Sequence, residues 1–525
     1  MEERYIASID LGTSKLGLCV ARVKGDDVQV VYYKETPSEG IRGSVVANPM
    51  KASAPLRKAI QEAEDELMIK ILQVVVGMPR SDVRQETATG GIDRTNPDEY
   101  ITEEEVENLK GMALESYPLD DEASQIMYGA VAQSFSIDDQ IQLVESDVVG
   151  TLSKNLKGNF KVFIGSRRAT TAVDKIFNSM GIAIAKKYFL PDVVAKTVLT
   201  EEDRQSGVAL VDIGAGVTSV AIYQGGIMRS YVAIPFGGKT ITGDIRTECS
   251  ISENLAEKIK LKFGACMPGK LASLSEKVLQ IRLTEPYKEV TVKYISEIID
   301  ARAREIINAV LYYIQDSGLE NNLRGGIVLT GGGASLVNFA NLFKELSGYE
   351  VRIGFPRHLF SASVGAGVYN PSAAAAIGMV LAAKDDRMPD CVTRPEPAWA
   401  DAPEAETVEE TAGAAEEGEG GGFYVPSSDN TDYENGETGT LIPMEEYGTA
   451  EEPGNPETAE EPEKPGKPGK PDKPGKPKRP RKPAESKPKI QWIKGKFKGI
   501  SEKFKNGVLD FYDEMTREED ANDNQ

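Results

Sequence analysis

The sequence predicts an α/β protein built from two related lobes, followed by a tail of different character. Three observations carry this. A pattern of strand, aspartate, glycine-containing turn and second strand occurs twice, as ASIDLGTSKLGLCVARV from Ala7 and as VALVDIGAGVTSVAIYQGG from Val208. Short β-rich runs (LQVVVGMP, NFKVFIG, GGIVLTG) alternate with helical patterns up to residue 384. From residue 385 the composition shifts to Pro, Gly, Glu, Ala and Lys, with too little apolar surface to offset chain entropy.

Length and composition limit the architecture and the compartment. A chain of 525 residues exceeds one ordinary core and implies several domains. Four cysteines lie far apart with no CxxC pair, and His358 is the single histidine, so neither a zinc site nor a disulfide framework is expected and a reducing compartment fits. The start, MEERYIASID, runs from charges straight into a strand, and no run of eighteen apolar residues occurs, so neither a secretion signal nor a membrane span is expected. The net charge of −21 is uneven. By side-chain counting, residues 385–463 carry roughly −22 and residues 464–505 roughly +13. The folded part is only mildly acidic, and no nucleic-acid partner is expected.

Taken in order, residues 1–81 form the first part of lobe 1. Residues 82–162 break the pattern and read as an inserted subdomain, in which Thr102 and Glu105 of ITEEEVENL make a capping box that opens an amphipathic helix. Residues 163–207 complete lobe 1, and 208–384 form lobe 2. There, Ile295, Ile299, Ala303, Ile306, Val310 and Ile314 recur at helical spacing and predict one core-facing stripe. Residues 385–488 read as a disordered linker, acidic and then Lys/Pro-rich, with the Lys-Pro part locally extended. In 489–515, Ile490, Ile493, Phe497, Ile500, Phe504 and Phe511 step by threes and fours beside Trp492, with lysines over much of the remaining surface. That pattern predicts an interfacial membrane helix lying in the headgroup plane; a helix that docks into a partner's groove shows the same stripe. Residues 516–525 are an acidic tail.

The doubled pattern has a chemical reading. Asp10 aligns with Asp212 and Gly12 with Gly214 without a gap, and Thr13, Ser14, Thr218 and Ser219 bring hydroxyls near both turns. Small residues let backbone N–H groups approach phosphate oxygens, and strand-end carboxylates can hold the waters of a magnesium ion. Two such hairpins face to face would clamp a polyphosphate. One copy alone is equally a tight hairpin. The later GGIVLTGGGASLVNF places Gly331, Gly332 and Gly333 between a strand and a helix, where glycines serve either a ligand or close packing.

In this order, the two aspartate hairpins and the glycine turn resemble the phosphate-1, phosphate-2 and adenosine motifs of the actin, Hsp70 and sugar-kinase superfamily. Within it, VLTEEDRQSGVALVDIGAGVTSVAIYQGGIMRSYVAIPFGG, SENLAEKIKLKFG, SEIIDARAREIINAV and LTGGGASLVNFANLFKEL resemble the bacterial cell-division family FtsA, and the ITEEEVENL insertion sits where that family carries its own subdomain. The resemblance covers nearly all of residues 1–384. It implies an actin-like two-lobed ATPase fold of duplicated ribonuclease H-like domains, with ATP and Mg2+ as cofactors. Asp10, Gly12, Thr13, Ser14 and Lys15 would serve the first phosphate motif, with Lys15 meeting phosphate charge. Asp212, Gly214, Gly216 and Thr218 would serve the second, Glu257 and Lys260 the ribose or adenine, and Gly331, Gly332 and Gly333 the adenosine motif. Asp10 and Asp212 would hold the metal through water. Without the resemblance, Glu257 and Lys260 read as a solvated i, i+3 pair. It further implies an actin-like filament of the chain itself, other division proteins, an anionic inner-membrane surface and the carboxy-terminal peptide of the tubulin-like FtsZ as partners, the peptide on Arg302 and Glu305. The place implied is the cytoplasmic face of the cell membrane at the division site.

Departures from the family pattern matter. The usual DIGGGTTD stands here as DIGAGVTS, losing a glycine at Ala215, a hydroxyl at Val217 and a carboxylate at Ser219. Leu190 occupies a position where some relatives place a polar residue able to orient the attacking water, and neighbouring Asp192 is no obvious substitute. Binding of ATP is thus better supported than its turnover. A small-molecule kinase of the superfamily and an Hsp70-like chaperone are the alternatives; the first should show a base carboxylate in a substrate pocket, the second a β-rich substrate domain after the ATPase body.

Overall fold

The computed structural model describes residues 3–138, 141–272, 276–281 and 288–394. The expected helix at 489–515, with Ile490, Trp492, Ile493, Phe497, Ile500, Phe504 and Phe511, lies outside the described residues, as do the acidic tail and the linker beyond 394.

Two sheets repeat one design. In lobe 1 the strand order is Ala183–Tyr188, Gln73–Gly77, Arg4–Leu11, Lys15–Lys24, Asp27–Pro37, with Ser361–Ala362 added at the edge. In lobe 2 it is Val351–Ile353, Ile327–Thr330, Val208–Ile213, Thr218–Gln224, Ile227–Ile234. Each has a central antiparallel hairpin, a further antiparallel strand on one side and parallel strands on the other. The repeat extends to register: Asp10 pairs with Gly17 and Leu11 with Leu16, while Asp212 pairs with Ser219 and Ile213 with Thr218. The gap-free alignment of the two sequences is therefore also an alignment of two ladders. The fold is the actin-like α/β fold.

Two helices fill the space between the sheets. Ala374–Asp385 (AAAIGMVLAAKD) is apolar nearly all round and buried along most of its length, as a helix enclosed on every side must be. Its Gly378 lets it approach Leu190–Val198, since a Cβ there would stand 2.6 Å from the Val193 carbonyl oxygen. The core cluster around these helices contains Ile6 and Cys19 of one lobe together with Val208 and Leu210 of the other. Val292–Asp316 presents the expected stripe: Ile295, Ile299, Ala303, Ile306, Val310 and Ile314 are all buried.

Between the two parts of lobe 1, strands Arg84–Asp93, Gln125–Ile137, Ile141–Leu143 and Asn155–Ser166 make a separate four-stranded sheet with helix Glu103–Ser116 packed on it. The Thr102 hydroxyl accepts from the Glu105 N–H at 3.2 Å and the Glu105 carboxylate accepts from the Thr102 N–H at 3.0 Å, so the capping box is made. Arg94 secures it from beneath, its Nε 2.9 Å from Glu105 Oε1.

The chain after the Ala374–Asp385 helix differs from the expectation of a linker beginning at 385. Val392–Thr393 pairs antiparallel with Lys70–Ile71, the Cys391 N–H donates to the Tyr5 carbonyl at 2.8 Å, and Cys391 is fully buried. The physical reason is local: CV is a two-residue apolar island that finds an unpaired edge, a signal that averaging over an acidic window hides. All four cysteines are free and buried. Among the described residues no helix is long and apolar enough to cross a membrane.

Candidate nucleotide cleft

The two hairpin turns meet across a cleft of about 310 Å³, within the size range of small-molecule sites. Asp10, Gly12, Thr13, Ser14 and Lys15 line it from lobe 1; Asp212, Gly214, Gly216, Glu257, Lys260, Gly331, Gly332 and Gly333 line it from lobe 2. The turns are in close contact. A Cβ on Gly216 would stand 2.7 Å from Thr13 Oγ1. On the lobe 1 side the tip is fastened by Ser38, whose hydroxyl donates to the Gly12 carbonyl at 2.8 Å and whose N–H donates to the Ser14 carbonyl at 3.1 Å. On the lobe 2 side, the Gly238 and Lys239 N–H groups that open helix Gly238–Cys249 donate to the Gly214 and Ala215 carbonyls at 2.9 and 2.8 Å.

Gly331 follows strand Ile327–Thr330, which runs parallel to the Asp212 strand. Its φ is +80°, and a Cβ would lie 2.3 Å from Asp212 Oδ1. At Gly332 such a Cβ would meet Ser372 Cβ at 3.9 Å, an ordinary contact distance, so the backbone there is not crowded. Ile241, Leu261, Leu336 and Val337 make this end apolar, and Leu261 and Val337 remain 75% and 57% exposed.

Thr218 is placed differently from the other residues singled out in the sequence. It is fully buried and donates to the Phe236 carbonyl at 2.9 Å, which fixes the strand that follows the turn. Glu257 and Lys260 are not a solvated pair. Lys260 Nζ, with its side chain 12% exposed, donates to the Gly238 carbonyl at 3.0 Å and to Thr242 Oγ1 at 2.9 Å, and Thr242 in turn donates to Glu257. Arg302 and Glu305 stand outside the cleft on helix Val292–Asp316. The Arg302 guanidinium grips Asp244 with Nε at 2.6 Å and Nη2 at 2.9 Å, and also pairs with Glu305.

Sequence reasoning missed two charged members of the cleft. Glu35 lies near the end of strand Asp27–Pro37 and accepts from Lys15 Nζ and from the Tyr33 hydroxyl at 3.0 Å. Burial works against its charge, yet bonds from Lys15, Ser372 and Tyr33 hold its carboxyl below the usual range. Arg80 follows strand Gln73–Gly77 and sits between the strand-end aspartates, Nη1 2.6 Å from Asp212 Oδ2 and Nη2 3.8 Å from Asp10 Oδ1. Burial opposes its charge too, but Asp212 and Asp10 outweigh it and raise the guanidinium's affinity for its proton. Burial pushes the Asp10 carboxyl upward, with Asp212 and Glu35 adding to the rise while Arg80 and Lys15 oppose it. The only one-dimensional trace of Arg80 is a cation at the end of a β-rich run, GMPR.

Leu190 is buried and lines a small cavity together with Asp10, Gly77 and Val173. Asp192 pairs instead with Lys196 at 3.2 Å on the exposed side of its helix.

Opposed carboxylates at two strand ends suit a magnesium ion held through its waters, because such an ion takes one or two carboxylates plus substrate phosphates. Among the described residues no cluster of three or more His, Cys, Asp or Glu side chains could hold a metal by itself. The glycine cradle at 331–333, the paired turns and the apolar end match the phosphate-to-base polarity of a nucleotide.

A family model described as cell division protein FtsA matches residues 209–378. The cell division protein FtsA of Borreliella burgdorferi is 29% identical over 384 residues, covering 73% of this chain and 91% of that one. That of Neisseria meningitidis serogroup B is 29% identical over 391 residues, with the same two coverages, 73% and 91%. Among solved structures, a chain of the PilM–PilN type IV pilus biogenesis complex superposes with a TM-score of 0.52 at 16% identity, covering 72% of this chain and 98% of that one, a similarity of fold.

Proposed function

The chain belongs to the FtsA family of cell-division proteins, and from that premise we propose that it binds ATP in the cleft, assembles into an actin-like filament and tethers FtsZ to the cytoplasmic face of the membrane at the division site. The observation that carries the nucleotide reading is the contact of Gly216 with Thr13 between hairpins of matched register, with an aspartate at the end of each.

In this reading the phosphates lie between the two turns and the helix that opens at Gly238, whose amino terminus favours negative charge. The base lies against Ile241, Leu261, Leu336 and Val337, which would take an exposed apolar surface out of water. Gly331 to Gly333 leave room for the ribose and α-phosphate. Magnesium arriving with the phosphates would be held by Asp10 and Asp212 through water, adding charge neutralisation. Turnover is slow in this reading, because Leu190 offers no hydrogen bond to an attacking water and Asp192 is directed elsewhere. Isothermal titration with MgATP tests the site: Asp10→Ala and Asp212→Ala should each weaken affinity several-fold, as loss of a carboxylate that holds the ion through water requires. Unchanged affinity in both variants would sink the assignment.

We assign the FtsZ peptide to Arg302 and Glu305, where it would have to share the guanidinium with Asp244. The membrane contact is assigned to residues 489–515, joined to the body through the long linker. One such helix near an anionic surface gains ~1 kcal/mol per lysine and carries three glycines that each cost roughly 1 kcal/mol of helix stability. Stable attachment therefore needs several copies joined in a filament.

A further inference from the structure

We infer that Arg80 is a phosphate ligand of the cleft, a cation carried by the chain itself that leaves nucleotide binding only weakly dependent on magnesium. The inference rests on the nucleotide reading of the cleft and adds to it a residue and a metal requirement.

Two largely buried carboxylates that face one space repel each other and any incoming polyphosphate, and such a pair is stable only with a counter-charge. Arg80 supplies it. Its guanidinium is 12% exposed, with Nη1 2.6 Å from Asp212 and Nη2 3.8 Å from Asp10, beyond hydrogen-bonding reach. It is not a surface arm swung in by chance. Both lobes fix its backbone: its N–H donates to Ser44 Oγ at 3.1 Å, and its carbonyl accepts from the Tyr231 hydroxyl at 2.9 Å.

The other two cations that line the cleft have partners of their own. Lys15 is held by Glu35, and Lys260 by Glu257, Thr242 and the Gly238 carbonyl. Arg80 differs in that its carboxylate partners are the cleft's own aspartates. A guanidinium has five N–H donors in a fixed fork, and the bond to Asp212 uses one. The fork can thus hold Asp212 and a phosphate oxygen together, a geometry that a lysine ammonium does not reproduce. A fixed positive charge between the two aspartates performs part of the charge neutralisation that a divalent ion would otherwise supply.

Fluorescent mant-ATP titrated into the full-length protein, once with excess Mg2+ and once with EDTA, tests this, using the unaltered protein, Arg80→Gln and Arg80→Lys. The unaltered protein should lose less than about tenfold in affinity on chelation, whereas Arg80→Gln should lose about a hundredfold and recover most of it with Mg2+, the range expected for hydrogen bonds to charged groups. Arg80→Lys keeps the charge without the fork and should fall between them, which keeps the test decisive if Arg80→Gln, with Asp212 left unpaired, proves unstable by thermal melting. An equal chelation penalty in all three proteins overturns the inference. Tighter binding by Arg80→Gln in either buffer also overturns it, since the guanidinium would then compete with the nucleotide. Failure of the unaltered protein to bind in both buffers overturns the nucleotide reading itself.

Discussion

Gly216 and Thr13 touch across the cleft: a side chain of even one carbon at Gly216 would meet the Thr13 hydroxyl at 2.7 Å and its Cβ at 3.1 Å. Because Thr13 Oγ1 also accepts from the Ser44 N–H at 3.1 Å, it has little freedom to retreat. Gly216→Ala should therefore part the two turns at a cost of about 1–3 kcal/mol, the usual range for overpacking. Calorimetric titration with MgATP should show affinity lost about tenfold or more in Gly216→Ala and partly regained in Gly216→Ala with Thr13→Ala. Absence of rescue would mean that the loss arises within lobe 2 alone.

Arg94 and Glu105 link stability to pH. The Arg94 bond, with the Thr102 backbone bond adding to it, holds the Glu105 carboxyl below its ordinary range, although burial opposes this. A depressed carboxylate contributes stability above its unfolded pKa of about 4.3, and that contribution disappears as pH falls through the lower folded value. The urea midpoint of Glu105→Gln should accordingly lie below that of the unaltered protein at about pH 7, and the gap should close on acidification towards about pH 3. A gap independent of pH would assign the effect to packing around Arg94, whose side chain is 3% exposed.

Under the proposed function, Arg302 would reach an acidic peptide only in competition with Asp244, which already holds its guanidinium. Freeing part of its charge with Asp244→Asn should raise the affinity of an acidic FtsZ carboxy-terminal peptide several-fold, whereas Arg302→Glu should abolish binding, as expected where complementary charge steers association. Fluorescence anisotropy distinguishes the outcomes, and equal affinity in all three proteins would place the peptide on another surface.

Residues 389–394 are worth more than their place after the last long helix suggests. Val392 pairs with Ile71, and Leu72 donates to the Cys391 carbonyl at 3.0 Å. A chain ending at 388 should be less stable in denaturant than one ending at 394 by at least ~2 kcal/mol, the scale for fully burying one aliphatic side chain. Equal midpoints would show that the strand adds nothing to lobe 1.

The proposed membrane role of residues 489–515 is tested by their tryptophan. Trp399 and Trp492 are the two tryptophans of the chain, so Trp399→Phe leaves Trp492 as the single reporter. Its emission should shift to the blue on anionic vesicles, not on neutral ones, and the shift should vanish on deletion of residues 489–515, as an interfacial helix with basic flanks requires. No shift on either lipid would turn the segment into a docking helix for a protein partner.

The doubled aspartate hairpin, the glycine turn at 331–333, the Thr102–Glu105 capping box and the Ile295-to-Ile314 stripe were all legible in the sequence. Each is a local pattern whose spacing is imposed by the backbone itself: period two for strands, near three and a half for helices, and glycine where a Cβ cannot stand. The gap-free match of Asp10 with Asp212 belongs with these, since two ladders of equal register require segments of equal length.

Other features were decided only by the tertiary structure. Arg80 is remote in sequence from both Asp10 and Asp212, and only the closing of one lobe on the other makes it their shared counter-ion. Thr218 carries a hydroxyl suited to phosphate, yet the strand it opens turns that hydroxyl inward to Phe236. Lys260 reads as solvated on its own helix until helix Gly238–Cys249 packs against it and accepts its hydrogen bonds. Arg302 reads in the sequence only with its helix neighbour Glu305, until packing brings Asp244 beside it. Local sequence sets the dihedral preferences and the apolar period of each element, but the partner of a charge is chosen by long-range packing, because electrostatic and hydrogen-bond energies depend on distances that no local pattern specifies.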